Sequence, residues 1–243
     1  MKIDLNCDLG ESAGNDEAIM PYITSANIAC GFHAGDADVM LATVRLAKQF
    51  GVNVGAHPGW NDRQNFGRHE MDVSAQEVES IVLYQIQTLA EIGNAEGVAL
   101  THVKPHGALY NQAAKDRGLA DAIARAVKSF SVELILVGLA GSRLCEAGLA
   151  LGIKVAGEGF PDRAYNPDGT LMSRSELGAV IESPEVVANN ALKLIREGIL
   201  FGERIVGVDT LCLHGDHPHA AENAKLLRET LVKNGIEVVG LKR

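Results

Sequence analysis

The sequence predicts an α/β protein built as a β/α barrel, and three observations carry that expectation. Short apolar runs rich in Val, Ile, Leu and Ala alternate with longer stretches of helical period, the pattern of repeated βα units around a parallel sheet covered on both faces. The 243 residues fit a length that barrels routinely fill around one core, so we expect a single domain spanning 1–243. The chemically unusual side chains fall at the carboxyl ends of the strand candidates, where barrels gather their active sites.

In order, the strand candidates are 3–9, 25–30, 52–56, 99–104, 133–138, 154–156 and 210–214, which makes seven. An eighth, 237–241, either completes the sheet or merely covers it. Helices are expected over 36–50, 75–91, 119–129, 142–151, 184–197 and 220–234. Ser74 and Glu77 have the spacing of a capping box, in which the hydroxyl accepts from an orphan backbone N–H and the carboxylate reaches back to the cap. Ser183-Pro184 sets a capping residue before a first-turn proline. Gly51, Gly152 and Gly235 follow helices and supply the positive φ that ends them. The stretch 157–182 carries no periodicity, and an irregular loop of that length inside a compact fold is usually functional.

Composition excludes several functions. Lys and Arg number 22 against 31 Asp and Glu, a net charge of −9. No basic cluster exists that could neutralise a row of phosphates or hold an anionic membrane. Cys7, Cys30, Cys145 and Cys212 form no CxxC pair, which argues against a zinc knuckle or a dithiol motif. Polar residues at the start, Met1-Lys2-Ile3-Asp4, interrupt any signal-like apolar stretch, and no segment approaches a membrane span. A cytoplasmic location is the expectation. Neither GxxxxGK[ST], GxGxxG after a strand, nor GxSxG occurs.

The strand ends read Asn6-Cys7-Asp8-Leu9-Gly10-Glu11, Cys30-Gly31-Phe32-His33, Gly55-Ala56-His57-Pro58, Val103-Lys104-Pro105-His106-Gly107, Gly157-Glu158-Gly159 and Leu213-His214-Gly215-Asp216-His217. Five of the eight histidines sit in these segments and a sixth, His102, lies within the fourth strand, so a shared catalytic mouth outweighs a set of unrelated core imidazoles. His217 and His219 flank Pro218 in a loop with no fixed ligand face and are read as surface histidines. Cys30 and Cys212 are read as small buried hydrophobes. Arg63 and Arg68 either clamp a substrate carboxylate or form exposed ion pairs.

These blocks, together with Ala108-Leu109-Tyr110-Asn111 and Asp162-Arg163-Ala164-Tyr165, resemble the LamB/YcsF family, the A subunits of prokaryotic ATP-dependent 5-oxoprolinases. The likeness runs in order along the whole chain. Gly159-Phe160-Pro161 and His69 depart from the family's usual residues. The resemblance implies a distorted, TIM-like, seven-stranded β/α barrel similar to polysaccharide deacetylases. It also implies ATP as cosubstrate with Mg2+, partner subunits B and C, and hydrolysis of 5-oxo-L-proline to L-glutamate.

For that chemistry the expected catalytic residues are Asp8, His33, His57, Lys104, His106, Glu158 and His214. Asn6, Glu11, Arg68, Asn111, Arg163 and Asp216 are expected to bind substrate. The carboxylates and imidazoles would move protons, and Lys104 would stabilise developing negative charge or hold a phosphoryl oxygen. Two other readings stay open. One is a metal-dependent deacetylase or amidohydrolase in which Asp8, His33 and His57 hold a divalent ion; the other is a regulatory subunit without chemistry of its own.

Overall fold

A computed structural model describes residues 1–214 and 219–242, with His214 described by its backbone alone. In chain order the elements are β1 (Lys2–Leu9), α1 (Asp16–Ile19), β2 (Ser25–Ala29), α2 (Ala37–Phe50), β3 (Asn53–His57), α3 (Ala75–Ala95), β4 (His102–Val103), α4 (Gly107–Ala113), α5 (Arg117–Phe130) and β5 (Ile135–Leu139). There follow α6 (Arg143–Ala150), β6 (Lys154–Gly159), α7 (Pro184–Glu197), β7 (Ile199–Phe201), β8 (Arg204–Val206), β9 (Thr210–His214), α8 (Ala220–Lys233) and β10 (Glu237–Val238).

Strands β1 to β6 pair each with the next, β6 pairs with β9, and β9 returns to β1, all in parallel, so seven strands close a barrel. The chain's last strand is not one of its staves. Strand β10 pairs only with Lys2 and Ile3, at the start of β1. Leu241, just beyond it, packs on Ile135, Val137 and Ala156, and its carbonyl accepts from the Asn53 amide at 2.9 Å. The tail therefore covers the amino-terminal mouth and leaves the opposite mouth open.

Period-2 alternation sets the two faces of β1. Ile3, Leu5, Cys7 and Leu9 join the apolar layer shared with the helices, while Asp4, Asn6 and Asp8 turn to polar partners on other strands. At the lowest level the Asp4 carboxylate accepts from Ser25 Oγ at 2.6 Å, Thr24 Oγ1 at 2.9 Å and Thr210 Oγ1 at 2.5 Å. Burial pushes its pKa up in spite of these donors. The barrel interior thus carries a hydrogen-bonded polar column beside the aliphatic Ile135, Val137 and Ala156.

The helix ends follow the sequence signals. Ser74 and Glu77 form both halves of the capping box, and Ser183 Oγ accepts from the Val186 N–H. Gly51, Gly152 and Gly235 have φ of 67°, 75° and 73°. Three elements go beyond the sequence expectation: α1, α4 and the antiparallel β7–β8 hairpin, each too short to show a period of its own. The 157–182 stretch is held by backbone bridges Arg163–Val180 and Tyr165–Leu171. Among the described residues, no helix is long and apolar enough to cross a membrane.

Candidate active site

At the open mouth, Lys104 is the centre of a buried charge cluster. It follows β4, and its Nζ lies 2.8 Å from Asp8 Oδ1, 3.0 Å from Glu158 Oε1, 3.3 Å from Asn6 Oδ1 and 3.0 Å from Cys212 Sγ. Burial penalises its charge, but Asp8, Cys212 and Glu158 outweigh that penalty and hold its pKa well above the ordinary lysine value. The ammonium is therefore a permanent cation. Glu158, fully buried at the end of β6, also accepts from Asn6 Nδ2 at 2.9 Å and from the Tyr110 hydroxyl at 2.7 Å.

Beside this cluster stand three imidazoles. His57, the last residue of β3, sets Nδ1 2.7 Å from the Lys104 carbonyl and Nε2 3.4 Å from Asp8 Oδ2. His106, at the start of α4, sets Nε2 2.9 Å from the Phe66 carbonyl and Nδ1 3.0 Å from His57 Nε2. His33, in the loop after β2, stacks on His106 with centroids 3.7 Å apart and planes 4° from parallel. Glu11 Oε1 reaches all three, at 3.3 Å from His33 Nε2, 3.3 Å from His106 Nδ1 and 3.8 Å from His57 Nε2. Burial, with the neighbouring imidazoles adding to it, lowers the pKa of His33 well below the usual histidine value and that of His106 to about 3. Both rings are neutral at physiological pH.

Glycine makes this packing possible. A Cβ on Gly59 would stand 2.5 Å from His33 Nδ1, and one on Gly67, whose φ is +63°, would stand 2.8 Å from His33 Cβ. The backbone presses directly on the imidazoles at both places.

The cluster opens on a cavity of about 530 Å³, within the range of small-molecule sites. Asp8, Glu11, His57, Lys104 and His106 line its floor; Arg68, Asn111 and the 157–182 loop, including Arg174, line its walls.

Asp8, His33, His57, Lys104, His106 and Glu158 thus come together as the strand-end positions imply, while the His214 side chain and Asp216 lie outside the described residues. Two of the residues expected to bind substrate have other work. Asn6 is buried beneath the cavity, its amide bonded to Glu158, to Thr210 at 2.7 Å and to Asn27 at 2.7 Å. Arg163 spends its guanidinium on the carbonyls of Met172 at 2.6 Å and Ala179 at 3.2 Å, bracing the loop. Glu11 joins the histidines, whereas Arg68 and Asn111 face the cavity.

Other expectations are refined. Asp8 is bound to Lys104 and Asn27, and among the described residues the ligand atoms that gather are those of Glu11, His33, His57 and His106. Cys212 is fully buried as expected, yet its thiol contacts the lysine. Cys30 is buried, and the exposed His219 pairs with Glu222 at 3.1 Å. Arg63 makes no ion pair among the described residues; its guanidinium ties its loop to the carbonyls of Gly31 and Gly35. Two site residues lie beyond the sequence expectation: Asn27, which donates to Asn6 and to Asp8 at 2.8 Å, and Tyr110. Period-2 alternation in β2 points to Asn27; Tyr110 sits on α4, which the sequence does not signal.

A closed parallel barrel with a buried lysine, paired carboxylates and imidazoles at its carboxyl mouth places the chain among β/α-barrel proteins with a strand-end cavity. Residues 3–243 match the LamB/YcsF family, and the chain belongs to it. It is 53% identical to the A subunit of 5-oxoprolinase from Methylococcus capsulatus, over 98% of this chain and 95% of that one. The crystal structure of a lactam utilization protein from Thermus thermophilus superposes with a TM-score of 0.90 at 47% identity, covering 99% of this chain and 100% of that one. The catalytic domain of a peptidoglycan N-acetylglucosamine deacetylase from Eubacterium rectale shares the fold alone, with a TM-score of 0.51 at 12% identity over 99% of this chain and 88% of that one.

Proposed function

We propose that this chain is the lactam-hydrolysing subunit of an ATP-dependent 5-oxoprolinase, opening 5-oxo-L-proline to L-glutamate with conversion of ATP and water to ADP and phosphate. The observation that carries the reading is the Asp8–Lys104–Glu158 cluster set against neutral imidazoles at the floor of a cavity. The names of its near relatives support the same substrate class.

A five-membered lactam is a poor electrophile, and phosphorylation of the amide oxygen would activate its carbonyl. Lys104 is a fixed cation whose neighbours keep it charged, suited to stabilising an oxyanion or a phosphoryl oxygen in a site of low dielectric. Asp8 keeps Oδ2 toward His57 while Oδ1 is held by Lys104, a geometry suited to taking a proton from water. Asp8, having taken that proton, would pass it to the leaving nitrogen. Arg68 and Arg174 on the cavity wall offer the charge that a substrate carboxylate requires.

The sequence has no ordinary phosphate loop, so partner subunits B and C would carry much of the ATP chemistry, with Mg2+. In the reconstituted three-subunit enzyme, Lys104→Ala, His57→Ala and His106→Ala should each abolish glutamate formation from 5-oxo-L-proline. Full activity in all three variants would overturn the reading.

A further inference from the structure

The hydrogen bonds of His57 and His106 fix their tautomers. A backbone carbonyl only accepts, so His57 must carry its proton on Nδ1, donated to the Lys104 carbonyl, and His106 must carry its proton on Nε2, donated to the Phe66 carbonyl. With those protons so placed, His57 Nε2 and His106 Nδ1 turn toward each other at 3.0 Å. The Glu11 carboxylate lies 3.3 Å from one and 3.8 Å from the other. Three atoms of metal-ligating type converge on one point.

The spacing fits a metal ion. Bonds of about 2.0–2.1 Å in tetrahedral geometry separate two donor atoms by roughly 3.3 Å, and the three separations here are 3.0, 3.3 and 3.8 Å. The outer hydrogen bonds fit as well, since imidazoles that hold metals characteristically give their other N–H to a carbonyl or carboxylate. His33 is not part of the set. Its ring lies parallel to His106 at 3.7 Å, so an ion in the plane of His106 stands well out of the plane of His33 and off its lone pair. His33 instead donates Nε2–H to Glu11, which leaves its Nδ1 without a partner.

We propose that His57 Nε2, His106 Nδ1 and Glu11 Oε1 form a three-ligand site for a divalent transition-metal ion of the zinc class, with His33 bracing Glu11 from outside and the fourth position open to the cavity. Nitrogen and carboxylate ligands in this number suit zinc, and three protein ligands with one open position are the pattern of catalytic rather than structural zinc. The site deepens the lactam-hydrolysing reading but does not rest on it. An ion there would offer a Lewis acid to a carbonyl or water oxygen beside Lys104.

The test is metal binding by the chelator-treated chain, titrated with Co2+ and then competed with Zn2+. The expected result is one ion per chain, visible d–d absorption on Co2+ addition and its loss on Zn2+ addition. His57→Ala and His106→Ala should lose the absorption, while His33→Ala should keep it with affinity weakened by roughly 10–100-fold. Should those variants fail to fold, nitrogen NMR of the folded wild-type chain serves: Zn2+ should shift His57 Nε2 and His106 Nδ1 while their opposite ring nitrogens stay protonated. Absence of both signals in the folded wild type would overturn the proposal, as would absorption that survives loss of His57 and His106 or vanishes equally with loss of His33. Turnover enters neither readout, so either conclusion can fail without the other.

Discussion

His102 shows how an interior imidazole can be structural and still govern behaviour. Its Nε2 lies 2.7 Å from Asn27 Oδ1, and Asn27 in turn donates to Asn6 and Asp8, so the ring braces the polar column below Lys104. Burial, followed by the charges of Lys104 and His57, lowers its pKa to about 3. The folded value lies below the unfolded value of about 6.5, so the unfolded chain takes up the extra proton. The stability this group contributes is complete above that unfolded value and is lost as pH falls toward 3. One such imidazole corresponds to about 2 kcal/mol between pH 7.5 and 5. His33 and His106 act in the same direction, whereas Asp4, raised by burial, acts oppositely and only near its own lower range. Urea unfolding of chelator-treated protein should therefore show a midpoint that drops from pH 7.5 to pH 5, with a shallower drop in His102→Gln. An unchanged pH dependence in that variant would show that His102 does not set the acid sensitivity.

At the level of elements, strand β3 illustrates what the sequence discloses and what it withholds. Its β-branched Val54 and its terminal His57 are legible, because residue type and position point to both. Gly55 is legible only as a flexible residue. Its real task is to make room: a Cβ there would lie 2.1 Å from the His102 ring on the neighbouring strand. Gly55→Ala should lower thermal stability by an amount equivalent to about 1–3 kcal/mol, the usual penalty of overpacking a filled interior. A melting temperature equal to that of the wild type would show that His102 moves aside freely. Strand β4 reads as six residues in the sequence but pairs over only His102 and Val103, with the flanking Thr101 and Lys104 N–H groups still donating to the Val54 and Ala56 carbonyls of β3. Helix α4, seven residues long and without a side-chain cap, carries no signal in the sequence, and this hides Tyr110 although it holds Glu158.

Across the whole molecule, the strand-end positions foretell the shared mouth because a closed parallel barrel aims the loops after all its strands at one place. What position cannot tell is depth. Asn6 and Asp8 lie two residues apart on one face of β1, so both point inward, but one layer separates a buried brace from a group at the cavity floor. Nor can spacing tell that Arg163, which lines the cavity as Arg68 does, spends its guanidinium on the carbonyls of its own loop. The central claim is that a lactam enters this cavity and meets Lys104. Crystals soaked with 5-oxo-L-proline test it most directly. The ring carbonyl should lie within hydrogen-bonding distance of Lys104 Nζ, with the carboxylate directed to Arg68 or Arg174. Ordered ligand bound elsewhere on the chain, with this cavity holding only solvent, would contradict it.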